Sequence, residues 1–133
     1  MAREGAFQFG LTDEILRKWI EVIMKTYFGP AYREFVSRFP WESRVWMLWY
    51  MWQNYDHRTW GGFVRDNLKH VREYRRLTGD ELRKLKDELY RYVLRIVDMI
   101  PRSKAKSLAK KVDDYFDVEL IAELERRGYR VVK

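Results

Sequence analysis

Residues 78–101 read TGDELRKLKDELYRYVLRIVDMIP, and the fold class turns on this stretch. Thr78 and Glu81 stand three apart ahead of an apolar run, which is the spacing of a capping box. The threonine hydroxyl accepts from the glutamate amide while the glutamate carboxylate reaches back to the threonine amide. Leu82, Leu85, Leu89, Tyr92, Val93, Ile96 and Ile100 then recur at near-heptad spacing, along one face of a helix. Pro101 stops it, because proline has no amide hydrogen to donate and disfavours helical backbone in the residue before it. A helix with one apolar stripe must pack that stripe against other elements.

The same signals extend outward in both directions. Toward the N-terminus, residues 57–62 (HRTWGG) read as a turn and 63–77 as a fourth helix. A third helix is predicted from Pro40 or Trp41 to about Asp56, with apolar residues around the whole cylinder. Tyr32, Phe35, Val36 and Phe39 mark a short second helix that stops before Pro40. Thr12 caps the first, with Asp13 and Glu14 in the turn where the helix dipole favours anions. Ile15, Leu16, Trp19, Ile20, Ile23, Met24 and Tyr27 follow at helical spacing, and Gly29-Pro30 ends the run. Toward the C-terminus, Ser103 caps a sixth helix to about Tyr115 and Asp117 a seventh to about Arg127, closed by Gly128. Residues 1–10 read as a short arm, and the final YRVVK as a loose end or one short strand.

The expected architecture is all-α: an N-terminal helical arm over residues 1–40, then a compact helix bundle over 41–133. The third helix asks for more covering material than one chain of 133 residues offers. Trp41, Trp46, Trp49, Tyr50 and Trp52 are therefore expected to meet another subunit.

Composition narrows the function. The formal net charge is +7 and the pI about 9.7, which favours polyanion partners. With no cysteine, disulfides, thiolate catalysis and Cys-bound zinc are excluded. That absence, many ion-pairable residues and only two Asn suit a hot habitat. The longest apolar run, Val45 to Trp52, is too short to cross a bilayer, so membrane insertion is not expected. MAREGAFQFGLTDE holds no long apolar core, so the chain is expected in the cytoplasm or in a particle assembled there. His57 and His70 are the only histidines. His70 and Glu73 share a helix face at i, i+3, a fragment of a metal site at most. Asp87-Glu88 and Asp113-Asp114 point to different sides of their helices, and no nucleotide or hydrolase motif occurs. No catalytic residue, metal or cofactor is expected.

The clearest polar pattern lies on the fourth helix. Arg65, Lys69, Arg72 and Arg76 recur at i, i+4, i+7 and i+11 and fall within about 60° of one another, with Arg75 at the border. Such a row can neutralise successive phosphates, and arginine adds bidentate geometry. A solvated helix face is the competing reading. Arg17, Lys18 and Lys25 on the first helix, and Arg33 and Arg38 on the second, are further candidates. Glu14–Lys18 and Glu21–Lys25 have the spacing of self-paired surface ions. Lys104, Lys106, Lys110 and Lys111 follow Arg102, but Asp113 and Asp114 come at once, so this cluster reads as a solvated helix.

The breaks at Gly29-Pro30 and Phe39-Pro40, the bundle behind them, the basic excess and the Cys-free, aromatic-rich composition resemble the major capsid proteins of rod-shaped and filamentous archaeal viruses. The resemblance covers the whole chain in layout and carries over no individual residue. It implies a coat protein that wraps linear double-stranded DNA through sequence-independent phosphate contacts. It also implies assembly into a helical filament with itself or a related second subunit, and a place in the virion. Residues 1–40 hold six cations against five acids, a modest charge for a clamping arm. Two other classes stay open: a helical subunit of an RNA-guided nucleoprotein complex, and a protein–protein adaptor with an aromatic interface.

Overall fold

The computed structural model of the chain describes residues 10–126 and 128, leaving aside the side chains at 119–121, 123 and 124. The expected arm at 1–9, Arg127 and the tail at 129–133 lie outside the described residues. Among the described residues there are seven α-helices and no strand, so the all-α reading holds. They are α1 (Asp13–Phe28), α2 (Tyr32–Arg38), α3 (Trp41–Tyr55), α4 (Trp60–Leu68), α5 (Arg72–Arg75), α6 (Gly79–Met99) and α7 (Arg102–Arg126).

The predicted caps at Thr12 and Thr78 form, whereas Ser103 lies inside a helix that already starts at Arg102. Thr12 Oγ1 accepts from the Ile15 amide at 3.3 Å. The capping box of α6 is complete: Thr78 Oγ1 accepts from the Glu81 amide at 3.2 Å, and the Thr78 amide donates to Glu81 Oε1 at 2.9 Å. Gly29 ends α1 at φ +61°, a left-handed backbone that a side chain would strain. A 3-10 turn, Gly29–Ala31, then leads into α2.

The third helix is buried by its own chain, against expectation. Val45, Met47 and Leu48 are fully inaccessible, and Trp41 and Trp46 are only 8% and 6% exposed. α3 packs against α6 on one side and α7 on another, with α2 also in contact. Trp41 Nε1 donates to Tyr92 Oη of α6 at 3.2 Å, and the Arg17 guanidinium covers the Trp41 ring at 4.5 Å. Trp46 stacks on Tyr50 of the same helix. Trp49, Tyr50 and Trp52 are half-buried against the core. Trp41 and Trp46 are therefore core residues and are not open to a second subunit. Two long helices, each about 30 Å or more at 1.5 Å per residue, supply the cover that the sequence reading had assigned to a partner.

The boundary at Pro40 divides the chain but not its core. Leu16, Ile20, Ile23 and Met24 of α1 belong to the same cluster as Val45, Phe63, Leu89 and Val112. α1 lies against α4 and α6. The two helices expected at 103–115 and 117–127 are one, α7. Asp117 does not act as a cap, because no Gly or Pro separates the segments and extending a formed helix is favourable. The turn expected at 57–62 is shorter. Thr59 Oγ1 accepts from the Gly62 amide at 3.1 Å, and α4 starts at Trp60. A Cβ on Gly62 would come within 3.3 Å of that hydroxyl.

Polar contacts pin the helices laterally. The Tyr50 and Tyr55 hydroxyls donate to Asp113 Oδ1 at 3.0 and 2.6 Å, and the Tyr55 ring stacks on Phe116 at 3.9 Å. These contacts fix α7 to the end of α3. Arg58 grips Asp56 and donates to Asp66 Oδ2 at 3.0 Å, tying the α3–α4 connection together. Burial, reinforced by the Asp56 carboxylate, pushes the Tyr27 hydroxyl up to about 12 from its ordinary 10.0. The fold thus favours neutral Tyr27. Its contribution to stability is full below pH 10.0 and is lost as pH rises toward about 12, where the folded state also ionises. A Tyr27→Phe variant is expected to lose less stability over that interval than the wild type, measured by urea unfolding at several alkaline pH values. Equal losses would show that Tyr27 does not carry the alkaline sensitivity.

Candidate nucleic-acid interface

The fourth predicted helix is two helices meeting at a corner. α4 ends at Leu68, and Val71 is extended at φ −81° and ψ 122°. The Val71 amide turns back to the Leu68 carbonyl at 2.8 Å. On a straight helix, Tyr74 and Leu77 would sit about 120° and 180° from Leu68 and face away from the core. The break at 69–71 swings both inward. Tyr74 is 4% exposed and meets Trp19 of α1 edge-on, and Leu77 is 8% exposed. Burying these two side chains opposes the cost of interrupting the helix.

The single stripe of Arg65, Lys69, Arg72 and Arg76 is thereby corrected. These residues lie along a bent path, with Arg65 on α4 and Arg72 on α5. Lys69, Arg72, Arg75 and Arg76 are all exposed around the corner. Lys69, Arg72 and Arg75 make no ion pair among the described residues. Arg65 differs: its Nε lies 3.2 Å from Asp66 Oδ1. Arg58 and Arg65 together hold the Asp66 carboxyl below its usual range, so this acid stays charged and dilutes the field at Arg65. His70 and Glu73 do not share a helical face, because the extended Val71 lies between them. Among the described residues, no group of three His, Cys, Asp or Glu is placed to hold a metal.

The other candidates stand apart from this corner along α1 and α2. Lys18 lies 4.0 Å from Glu14, Lys25 3.8 Å from Glu21, and Arg38 3.0 Å from Glu34. Each is an i, i+4 pair on its own helix. Arg17 is engaged on Trp41, and Arg33 is exposed.

One basic surface was undervalued in the sequence. Arg102, Lys104, Lys106 and Lys110 of α7 are exposed, and no acid occurs from 102 to 111. Of the two acids that follow, Asp114 stays exposed beyond Lys110, while Asp113 is drawn away. In the structure both of its oxygens accept from tyrosine hydroxyls of α3, so it faces inward. The signal was present as five cations in ten residues ahead of the first acid.

What the corner can do chemically is attract and hold anionic oxygens. Among the described residues no helix is long and apolar enough to cross a membrane. Replacing Asp66 by Asn raises the local charge by one. The variant is expected to steepen the log–log salt dependence of duplex-DNA binding by about 0.9, read by fluorescence titration across a salt series. An unchanged slope would place polyanion binding away from Arg65 and its neighbours. No protein family matches the chain, and neither a curated protein nor a solved structure does.

Proposed function

We propose that this protein binds double-stranded DNA through its phosphates, without reading sequence, as a structural coat or packaging subunit. The observation that carries the reading is the α4–α5 corner, where Lys69, Arg72 and Arg75 stand exposed and without ion pairs among the described residues. Cations held in this way release condensed counterions when they meet a phosphate backbone. Such contacts fix position on the duplex and carry no base code. Arg76, exposed beside them, widens the surface.

The layout resemblance to filament-forming viral coat proteins supports the assembly side of the reading. A heterologous contact that does not close would propagate subunits along the duplex. Neighbouring copies would meet through surface apolar residues, of which Met99 is 69% and Val118 64% exposed. The adaptor reading loses its main support, because Trp41 and Trp46 are occupied inside the chain.

The direct test is the triple variant Lys69→Ala, Arg72→Ala, Arg75→Ala. All three side chains are exposed, so helicity by circular dichroism is expected to stay unchanged. Loss of three phosphate contacts lowers the log–log salt slope by about 2.7, equally for duplexes of different sequence. Wild-type affinity and slope in this variant would remove the corner from the binding surface.

A further inference from the structure

We infer that the protein carries a second, separate phosphate-binding surface on α7 and that it bridges two DNA duplexes. This inference rests on the duplex-binding reading above. The surface is the outer face of the first half of α7. Leu108 and Val112 are buried there, and Ala105 and Ala109 pack beside them. Lys106 and Lys110 lie about 200° around the helix from Leu108, facing away from that packed side. Ser103 and Ser107 share their face at the i, i+3, i+4, i+7 spacing, and all four residues are exposed. The outer face therefore alternates hydroxyl and ammonium donors, both of which serve phosphate oxygens.

Two features distinguish this face from an ordinary solvated helix. Lys106 and Lys110 make no ion pair among the described residues, whereas Lys18, Lys25, Arg38, Arg83 and Arg91 are each paired within their own helices. The nearest following acid, Asp113, is turned onto Tyr50 and Tyr55, so the first acid on this face is the exposed Asp114, one turn beyond Lys110. In addition, α7 opens with Arg102 and Lys104 and has no acid in its first turn. The dipole disfavours cations at that end, so the arrangement costs stability in the free protein and an approaching polyanion relieves it.

Geometry separates this face from the α4–α5 corner. The corner immediately precedes α6, and α7 begins just after α6 ends. α6 has 21 residues. At 1.5 Å per residue the two surfaces flank a helix about 31 Å long. They also sit on different flanks: α7 packs against α3, α3 against α6, and α6 against α4. Among the principal helix contacts, α7 meets neither α4 nor α5. A straight duplex lies along one flank at a time, so engaging both surfaces calls for two duplexes or two distant segments of one.

The test uses the full-length protein, a mixed-sequence duplex immobilised on beads and a second, labelled duplex in solution. Wild-type protein is expected to capture the labelled duplex at low salt, and capture is expected to fall when protein is in large excess and saturates each duplex separately. A Lys106→Glu/Lys110→Glu variant is expected to bind the immobilised duplex while capturing the second about tenfold less. A Lys106→Arg/Lys110→Arg variant should capture like wild type. Wild-type protein that binds the immobilised duplex but captures no second one overturns the bridging inference alone. Undiminished capture by the Glu variant does the same, since bridging would then run through another surface. Failure of the wild type to bind even the immobilised duplex overturns the duplex-binding reading and this inference with it.

Discussion

Burial of α3 is the constraint on which the rest of the structure depends. A helix with Trp41, Val45, Trp46, Met47, Leu48 and Met51 all sequestered cannot lie on a surface. Each buried large side chain contributes roughly 1.5–3 kcal/mol relative to exposure, so leaving α3 open would cost an amount comparable to the whole net stability of a typical domain. The other helices follow from that requirement. α6 and α7 cover it from two sides, where Trp41 Nε1 donates to Tyr92 and the Tyr50 hydroxyl to Asp113, while Trp49 Nε1 is buried without a partner among the described residues. Covering α3 also turns Asp113 inward, which leaves the exposed Asp114 as the first acid on the outer face of α7.

Much of this order was readable from residues alone. Thr12, Thr78 and Glu81 announced their helix starts because capping is local chemistry between residues three apart. Gly29 and Pro40 announced interruptions for equally local reasons. The corner at 69–71 was not readable, since Val71 carries no helix-breaking signal. The break answers a tertiary demand, that Tyr74 and Leu77 turn toward α1 and the core. The continuity of α7 past Asp117 was likewise hidden, because a possible cap is used only where the chain turns. Reading Trp41 and Trp46 as part of a subunit interface failed for a related reason. Apolar character all round a helix shows that it is covered, and does not show by which chain.

The candidate site was legible in part. The concentration of Lys69, Arg72, Arg75 and Arg76 could be seen directly, while its bent shape could not. What sorts the cations is local neutralisation. Lys18, Lys25 and Arg38 are answered one turn away, Arg65 by Asp66, and Arg58 by two carboxylates. Surface pairs of this kind add little stability, yet they decide how much positive field reaches solvent. The excess of +7 is therefore uneven in effect. It emerges where exposed cations outnumber exposed acids, at the corner between α4 and α5, where Glu73 stands among Lys69, Arg72, Arg75 and Arg76, and on the first half of α7.

The central claim is that this field exists to hold duplex phosphates. The most direct measurement is the affinity of the wild-type protein for mixed-sequence duplexes over a series of salt concentrations. The account predicts binding that is indifferent to sequence and falls linearly in log–log form, with a slope of about −0.9 for each phosphate neutralised. Affinity that ignores salt, or no binding at low salt, would contradict it and leave the basic surfaces without a polyanion partner.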